Sequence, residues 1–171
     1  MDATSNTPGN RITIGLVCSH GGHLAEMLQL AEAFEGHETF YFCYDADTTR
    51  RLADAYRVPN RPYSVVAFLN NVIRLFRIFR ARRPSLVVST GAEIAIPVVF
   101  VAKWFGVPSL HVECGAQVFH PSLTGRILYH LVDEFYVQWP ELLKAYGPRA
   151  RFEGSLIDDV ESLGRVGGPT A

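Results

Sequence analysis

A doubly wound α/β fold, a parallel sheet covered by helices on both faces, is the architecture this sequence predicts, and three observations carry it. Short apolar, β-branched runs alternate with stretches of helical periodicity from one end of the chain to the other. Several of those runs end in glycine-containing turns that open the next helix, as a strand does when it feeds a crossover in a parallel sheet. Apolar residues make up 48% of the 171 positions, enough for one compact domain with a real core and unlike a disordered chain.

The elements follow in order. Residues 12–17 form a buried-strand pattern that ends in Cys18-Ser19-His20-Gly21-Gly22. From His23 the period becomes helical, with Leu24, Met27, Leu28, Ala31 and Phe34 in step and Gly36 as the stop. A second strand is expected over 39–44, a helix over 48–57 and a short third strand over 63–67. Residues 68–82 read as a helix whose inward stripe is Phe68, Val72, Leu75, Phe76 and Phe79. A fourth strand over 86–89 leads through Thr90-Gly91 into a long apolar helix ending at Phe105. A fifth strand over 109–113, a helix near 124–131, a sixth strand over 134–137 and a short helix over about 140–146 complete the series. The domain therefore spans 11–157 as a Rossmann-like unit, with loose tails over 1–10 and 158–171 that lack apolar periodicity.

Charge is unevenly spread. The formal net charge is −1, yet nine arginines and a single acid, Asp54, fall between Arg50 and Arg83, a local balance of +8. Arginine grips phosphate oxygens in a planar fork, so the concentration points to phosphate groups or an anionic membrane. On the helix over 68–82, Arg74, Arg77 and Arg80 lie opposite the apolar stripe, and Ile73 and Ile78 fall on or beside that arginine face. A solvated face has no need of the isoleucines, whereas a surface resting on anionic lipid head groups does. An ordinary solvated face or a protein interface stays open as the alternative. Nucleic acid is not expected, because no recognition motif accompanies the arginines and the overall charge is near zero.

The cysteines, Cys18, Cys43 and Cys114, sit in apolar runs without metal-ligand spacing and read as free thiols in a reducing compartment. No basic-then-apolar leader opens the chain. The most apolar stretch, 94–107, contains Pro97 and Lys103 and falls short of the ~20 residues of a bilayer span. The expectation is a cytoplasmic protein peripheral to the inner face of the cell membrane.

Ligands of such sheets bind at the carboxyl ends of the strands, near the reversal of strand order. Ser19, His20, Gly21 and Gly22 stand there, and the helix start behind them offers N–H groups to an anion. The motif is neither GxGxxG nor a Walker loop, and a tight turn without a ligand is the alternative. His23, at the helix start, has the residue type of a general base. No Cys, Asp or Glu nearby in sequence completes a recognisable site around His20 and His23, so no metal is expected. Thr90 and Gly91 repeat the strand–glycine–helix logic. Glu113, just past the fifth strand, is placed to accept sugar hydroxyls or a proton, or merely to cap a helix. Ser122, Thr124 and Gly125 open a further helix, with Ser122 as its cap. Trp139 either stacks on a sugar or fills the core.

Taken in order and spacing, Ser19-His-Gly-Gly-His-Leu-Ala-Glu-Met27, Ser89-Thr-Gly91, Ser122-Leu-Thr-Gly125 and Asp133-Glu-Phe-Tyr-Val-Gln-Trp-Pro140 resemble the Alg14 family, and within it the bacterial PssD and capsular-polysaccharide type. The resemblance implies the N-terminal, acceptor-side Rossmann half of a divided GT-B glycosyltransferase that is inactive without an Alg13-like partner chain. It also implies a polyprenyl-diphosphate-linked sugar as acceptor. The UDP-sugar donor would sit mainly on the partner, with no cofactor held by this chain alone. Carried over by position, Gly21-Gly22-His23 matches the loop facing the acceptor diphosphate, His23 a candidate base and Glu113 a catalytic acidic position. Gln117 stands where relatives often have arginine. The N-terminal membrane helix of eukaryotic members has no counterpart here, which leaves attachment to the arginine helix or to partners.

Overall fold

The computed structural model describes residues 11–61 and 64–156, so both expected tails lie outside the described residues. The elements are β1 (Thr13–Cys18), α1 (Gly22–Ala31), β2 (Glu38–Tyr44), β3 (Ala55–Val58), α2 (Val65–Arg82), β4 (Leu86–Ser89) and α3 (Ala95–Phe105). They continue through β5 (Ser109–Val112), α4 (Leu123–Leu128), β6 (Glu134–Val137), α5 (Glu141–Tyr146) and β7 (Ala150–Phe152). All strand pairings are parallel, in the order β3-β2-β1-β4-β5-β6-β7. The order reverses at β1 and β4, where Val17 pairs with Phe42 on one side and Ser89 on the other.

Alternation along β1 shows why the sheet is covered twice. Ile14, Leu16 and Cys18 turn to the face packed by Leu24 and Met27 of α1. Val17 turns to the opposite face, where α2, α3, α4 and α5 contribute Leu75, Phe79, Val98, Leu128 and Leu142. Gly15 faces that side without a side chain because the Phe40 ring lies over it, 3.2 Å from where a Cβ would stand.

Two expected elements are corrected. The helix over 48–57 is instead a 3-10 turn, Thr49–Arg51, followed by β3. The buried Thr49 hydroxyl donates to the Tyr44 carbonyl at 2.6 Å, and the Arg57 guanidinium donates to the carbonyls of Thr49 and Leu52. These bonds close the turn and leave Ala55–Val58 free to pair with β2. The third strand was expected over 63–67, where β-branched valines suggest one. Val65 and Val66 are instead the first turn of α2, capped by Ser64 Oγ accepting from the Ala67 N–H. Tyr63 lies outside the described residues. The short β7 strand was not anticipated.

Leu16 is fully buried on β1, an interior strand of the sheet. Leu16→Ala is expected to lower unfolding free energy by about 2–5 kcal/mol through the cavity it leaves, measurable by urea denaturation.

Candidate functional site

The loops after β1, β4 and β5 meet at the reversal of strand order. Gly21, at φ 70°, turns the chain out of β1 and caps α1. His23, in the first turn of α1, is locked to the β4 loop by two hydrogen bonds that run in opposite directions. Its Nδ1 lies 2.8 Å from the Thr90 carbonyl, and the Thr90 hydroxyl donates to the His23 carbonyl at 2.7 Å. A carbonyl accepts only, so Nδ1 is the donor, and in the neutral ring Nε2 carries the lone pair. Gly91, at φ 120°, makes room for the ring: a Cβ there would lie 2.8 Å from His23 Cε1.

His23 borders a polar cleft of about 500 Å³ together with Ser19, His20, Asn60, Cys114, Gln117, Ser122 and Thr124. Asn60 Nδ2 donates to His20 Nε2 at 3.2 Å, tying the segment after β3 to the glycine loop. At one end of the cleft the Tyr44 hydroxyl donates to Glu93 at 2.7 Å.

Glu113 also borders the cleft but is only 1% exposed. Its Oε1 accepts from the Cys114 N–H at 3.1 Å, and its Oε2 accepts from Ser122 Oγ at 3.1 Å and from the Tyr146 hydroxyl. Gly125 packs directly on this group, and a Cβ there would overlap the Glu113 carboxylate and the Tyr146 hydroxyl. Burial, and then the bond to Glu113, push the Tyr146 phenol well above its ordinary range, so it remains a donor. With its oxygens taken by internal donors, Glu113 positions α4 and α5.

The other expected residues divide in the same way. Ser19, His20, Ser122 and Thr124 border the cleft, and Ser122 caps α4 by accepting from the Gly125 N–H at 2.8 Å. Thr90, wholly buried, and Gly125 face inward and, like Gly21, Gly22 and Gly91, are not among the residues that border the cleft. Trp139 donates its indole N–H to the Gly115 carbonyl at 2.6 Å, fastening the β5 loop.

Sequence reading missed Glu26. It is 7% exposed, its Oε1 accepts from the Gly115 N–H at 3.0 Å, and its Oε2 has no partner among the described residues. One ligand atom each of His23, Glu26 and Cys114 lie within 4.8 Å of one another. Helical spacing of three from His23 was a usable signal for Glu26, whereas Cys114 lies 88 positions beyond it in sequence. Burial raises the Glu26 carboxyl above its usual range, opposed by the Gly115 N–H and by His23. Burial also pushes the Cys114 thiol up to about 11. The trio offers one nitrogen, one oxygen and one sulfur within reach of a single ion, and the Cys114 thiol would give up its proton to bind there.

The outer side of α2 carries the expected lipid-facing residues, with one correction. Ile73 is 56% exposed, and Arg74, Arg77 and Arg80 are exposed. Ile78 is buried at 5% exposure, because Leu75, Ile78 and Phe79 share the stripe that docks on α3. Val65, Val66 and Leu69 extend the exposed apolar side of α2, and Phe100 and Trp104 of α3 are exposed too, with Trp104 edge-on to Phe76. No helix among the described residues is long and apolar enough to cross a membrane.

Comparison with known proteins places these features in context. The family described as oligosaccharide biosynthesis protein Alg14 like matches residues 58–156. The human UDP-N-acetylglucosamine transferase subunit ALG14 is 25% identical over 186 aligned positions, covering 88% of this chain and 86% of that protein. A Desulfitobacterium hafniense enzyme named UDP-N-acetylglucosamine–N-acetylmuramyl-(pentapeptide) pyrophosphoryl-undecaprenol N-acetylglucosamine transferase is 37% identical over 75 residues, 44% of this chain and 20% of that one. In fold, the chain is similar to the UDP-N-acetylglucosamine 2-epimerase of Rickettsia bellii, with TM-score 0.72 and 14% identity over 90% of this chain and 47% of that one. Acinetobacter baumannii MurG gives TM-score 0.65 and 15% identity over 77% of this chain and 42% of that one. The chain thus spans about half the length of the solved structures it matches, each of them a likeness of fold alone.

His111, wholly buried on β5 beside these loops, has its pKa lowered to about 3 by burial and then by His23. The folded state therefore holds it neutral while the unfolded chain binds a proton below about pH 6.5. Its contribution to stability is present above that pH and falls by about 1.4 kcal/mol per pH unit on the way to pH 3. In urea denaturations between pH 7 and 4.5, His111→Leu is expected to lose stability less steeply than the wild type.

Proposed function

Because the chain belongs to the Alg14-like family of oligosaccharide biosynthesis proteins, we propose that it is the acceptor-binding half of a two-chain, GT-B-type glycosyltransferase that transfers a sugar from a UDP-sugar to a polyprenyl-diphosphate-linked sugar. The observation that carries this reading is His23, held at the mouth of the polar cleft with Nε2 free to accept a proton. The first N–H groups of α1 lack intrahelical partners and, beside Gly21 and Gly22, suit the lipid diphosphate. The acceptor hydroxyl gives its proton to His23 Nε2 as its oxygen attacks the anomeric carbon. The bond to UDP breaks on the opposite side, with inversion, and UDP leaves with its electron pair. Donor binding falls to an Alg13-like partner closing over the cleft. The buried Glu113 fixes the cleft wall through Ser122 and Tyr146.

Within the family, the glycine-loop motif supports the bacterial PssD and capsular-polysaccharide branch, and with it exopolysaccharide assembly on the inner face of the cell membrane. The chain attaches there through the outer side of α2, where Ile73 and Leu69 stand among Arg74, Arg77 and Arg80.

With the partner chain present, His23→Ala is expected to slow sugar transfer from UDP-glucose or UDP-N-acetylglucosamine to membrane lipid extract by about 10²–10⁴-fold. Full activity of that variant would overturn the assignment of His23 as the base. Independently, Ile73→Asp combined with Arg77→Glu should abolish co-sedimentation with phosphatidylglycerol vesicles. The wild-type interaction should weaken as salt rises.

A further inference from the structure

A second cavity, of about 230 Å³, lies between the first turns of α2 and α3. Val65, Phe68, Ile94, Ile96 and Pro97 give it apolar walls, and the reaction proposed above makes no use of it. It is not isolated from the acceptor cleft. Tyr44 and Glu93, joined by their hydrogen bond, border both spaces. At its outer end Val65 is 72% exposed and continues into the apolar side of α2 formed with Val66 and Leu69. The exposed Arg61 stands at its rim.

These three features, a polar cleft, an apolar passage with a cation at its rim and an exposed apolar helix side, follow one another in space. A molecule with a diphosphate at one end and a hydrocarbon chain at the other matches that sequence of environments. We propose that this passage holds the isoprenoid units next to the diphosphate of the acceptor lipid, directing the chain from the His23 cleft to the outer side of α2. The inference rests on the acceptor reading given above and adds a subsite for the lipid itself. A sugar or a nucleotide is a poor occupant, since its hydroxyls would lose water against walls that offer few partners. With the diphosphate at the start of α1, the carbons beyond it leave water against Phe68 and Ile96.

The test titrates the full chain with inorganic pyrophosphate and with isopentenyl, geranyl and farnesyl diphosphates, following heat or tryptophan fluorescence. Affinity is expected to rise with chain length, by roughly tenfold or more from pyrophosphate to farnesyl diphosphate. Ala67→Phe, which fills the passage from α2, is expected to remove that gain and leave pyrophosphate affinity unchanged. Ile96→Trp should do the same from α3, and an unaltered thermal transition for either variant certifies the fold. Pyrophosphate binding with no gain from the chain would overturn the subsite while leaving the acceptor cleft intact. An equal loss for pyrophosphate and farnesyl diphosphate in both folded variants would overturn it as well. Failure of the wild type to bind any of the four would sink the acceptor reading, and this subsite with it.

Discussion

A carboxylate withdrawn from water, Glu113, constrains the shape of the whole binding edge. Removing a charge of this kind from solvent costs several kcal/mol unless donors replace the water. Here the donors come from three places: the N–H of Cys114, the hydroxyl that caps α4 and the phenol that ends α5. Gly125 is part of the same arrangement, since a side chain at that position would occupy the space of the carboxylate and of Tyr146. Two six-residue helices, too short to be stable alone, are in this way tied to the end of a central strand. The cleft wall formed by Ser122 and Thr124 inherits its position from that tie.

The candidate base is held with comparable care. His23 and Thr90 exchange hydrogen bonds between backbone and side chain across the seam where strand order reverses. Glu26, one helical turn further on, reaches the N–H of Gly115 in the β5 loop. The first turns of α1 are thus joined to the loops after β4 and β5 by polar contacts of partly or fully buried groups. A group so fixed needs little reorganisation when a proton moves, and preorganisation of this sort is where catalysis gains most. It also accounts for the tautomer, because the Thr90 carbonyl leaves Nδ1 no role but donor.

How much of this was legible in the sequence depended on whether the determining contact was local. The positions of β1, β2, β4, β5 and β6 follow from apolar runs bounded by turn residues, and the glycine turn with His23 follows from its place after the first run. β3 was missed because its signal is tertiary. Arg57 ties off the preceding turn through backbone carbonyls, and no periodicity in Ala55–Val58 announces it. Val65 and Val66 misled in the other direction, since β-branched residues favour strands only where a sheet receives them. The inward turn of Ile78 was decided by docking against α3, which sets the buried stripe within a helix whose composition allows several. The structural task of Glu113 depends on Tyr146, 33 positions away, and no local pattern points to that pairing.

The arginine concentration shows how a charge count and a charge surface differ. Arg82 pairs with Asp54 at 2.6 Å, and Arg50 pairs with Asp45 and Asp47, two acids just outside the stretch that gave +8. Arg57 spends its guanidinium on backbone carbonyls, and Arg74 donates to the Arg57 carbonyl at 2.8 Å. Bonds to a carbonyl leave the charge of Arg74 in place but fix its direction, whereas ion pairs cancel the field of Arg50 and Arg82 beyond a Debye length. Arg74, Arg77 and Arg80, exposed and in none of these ion pairs, keep positive charge on the outer side of α2, where the exposed valines, leucine and isoleucine also lie. Attraction and apolar contact fall on one helix side, which is the condition for a surface to settle on lipid in one orientation rather than merely to adhere. On the proposed reading that orientation sets the cleft, since the first turn of α2 lines the passage whose Tyr44 and Glu93 also border the cleft. Docking and acceptor delivery would then be consequences of one helix placed against one switch point.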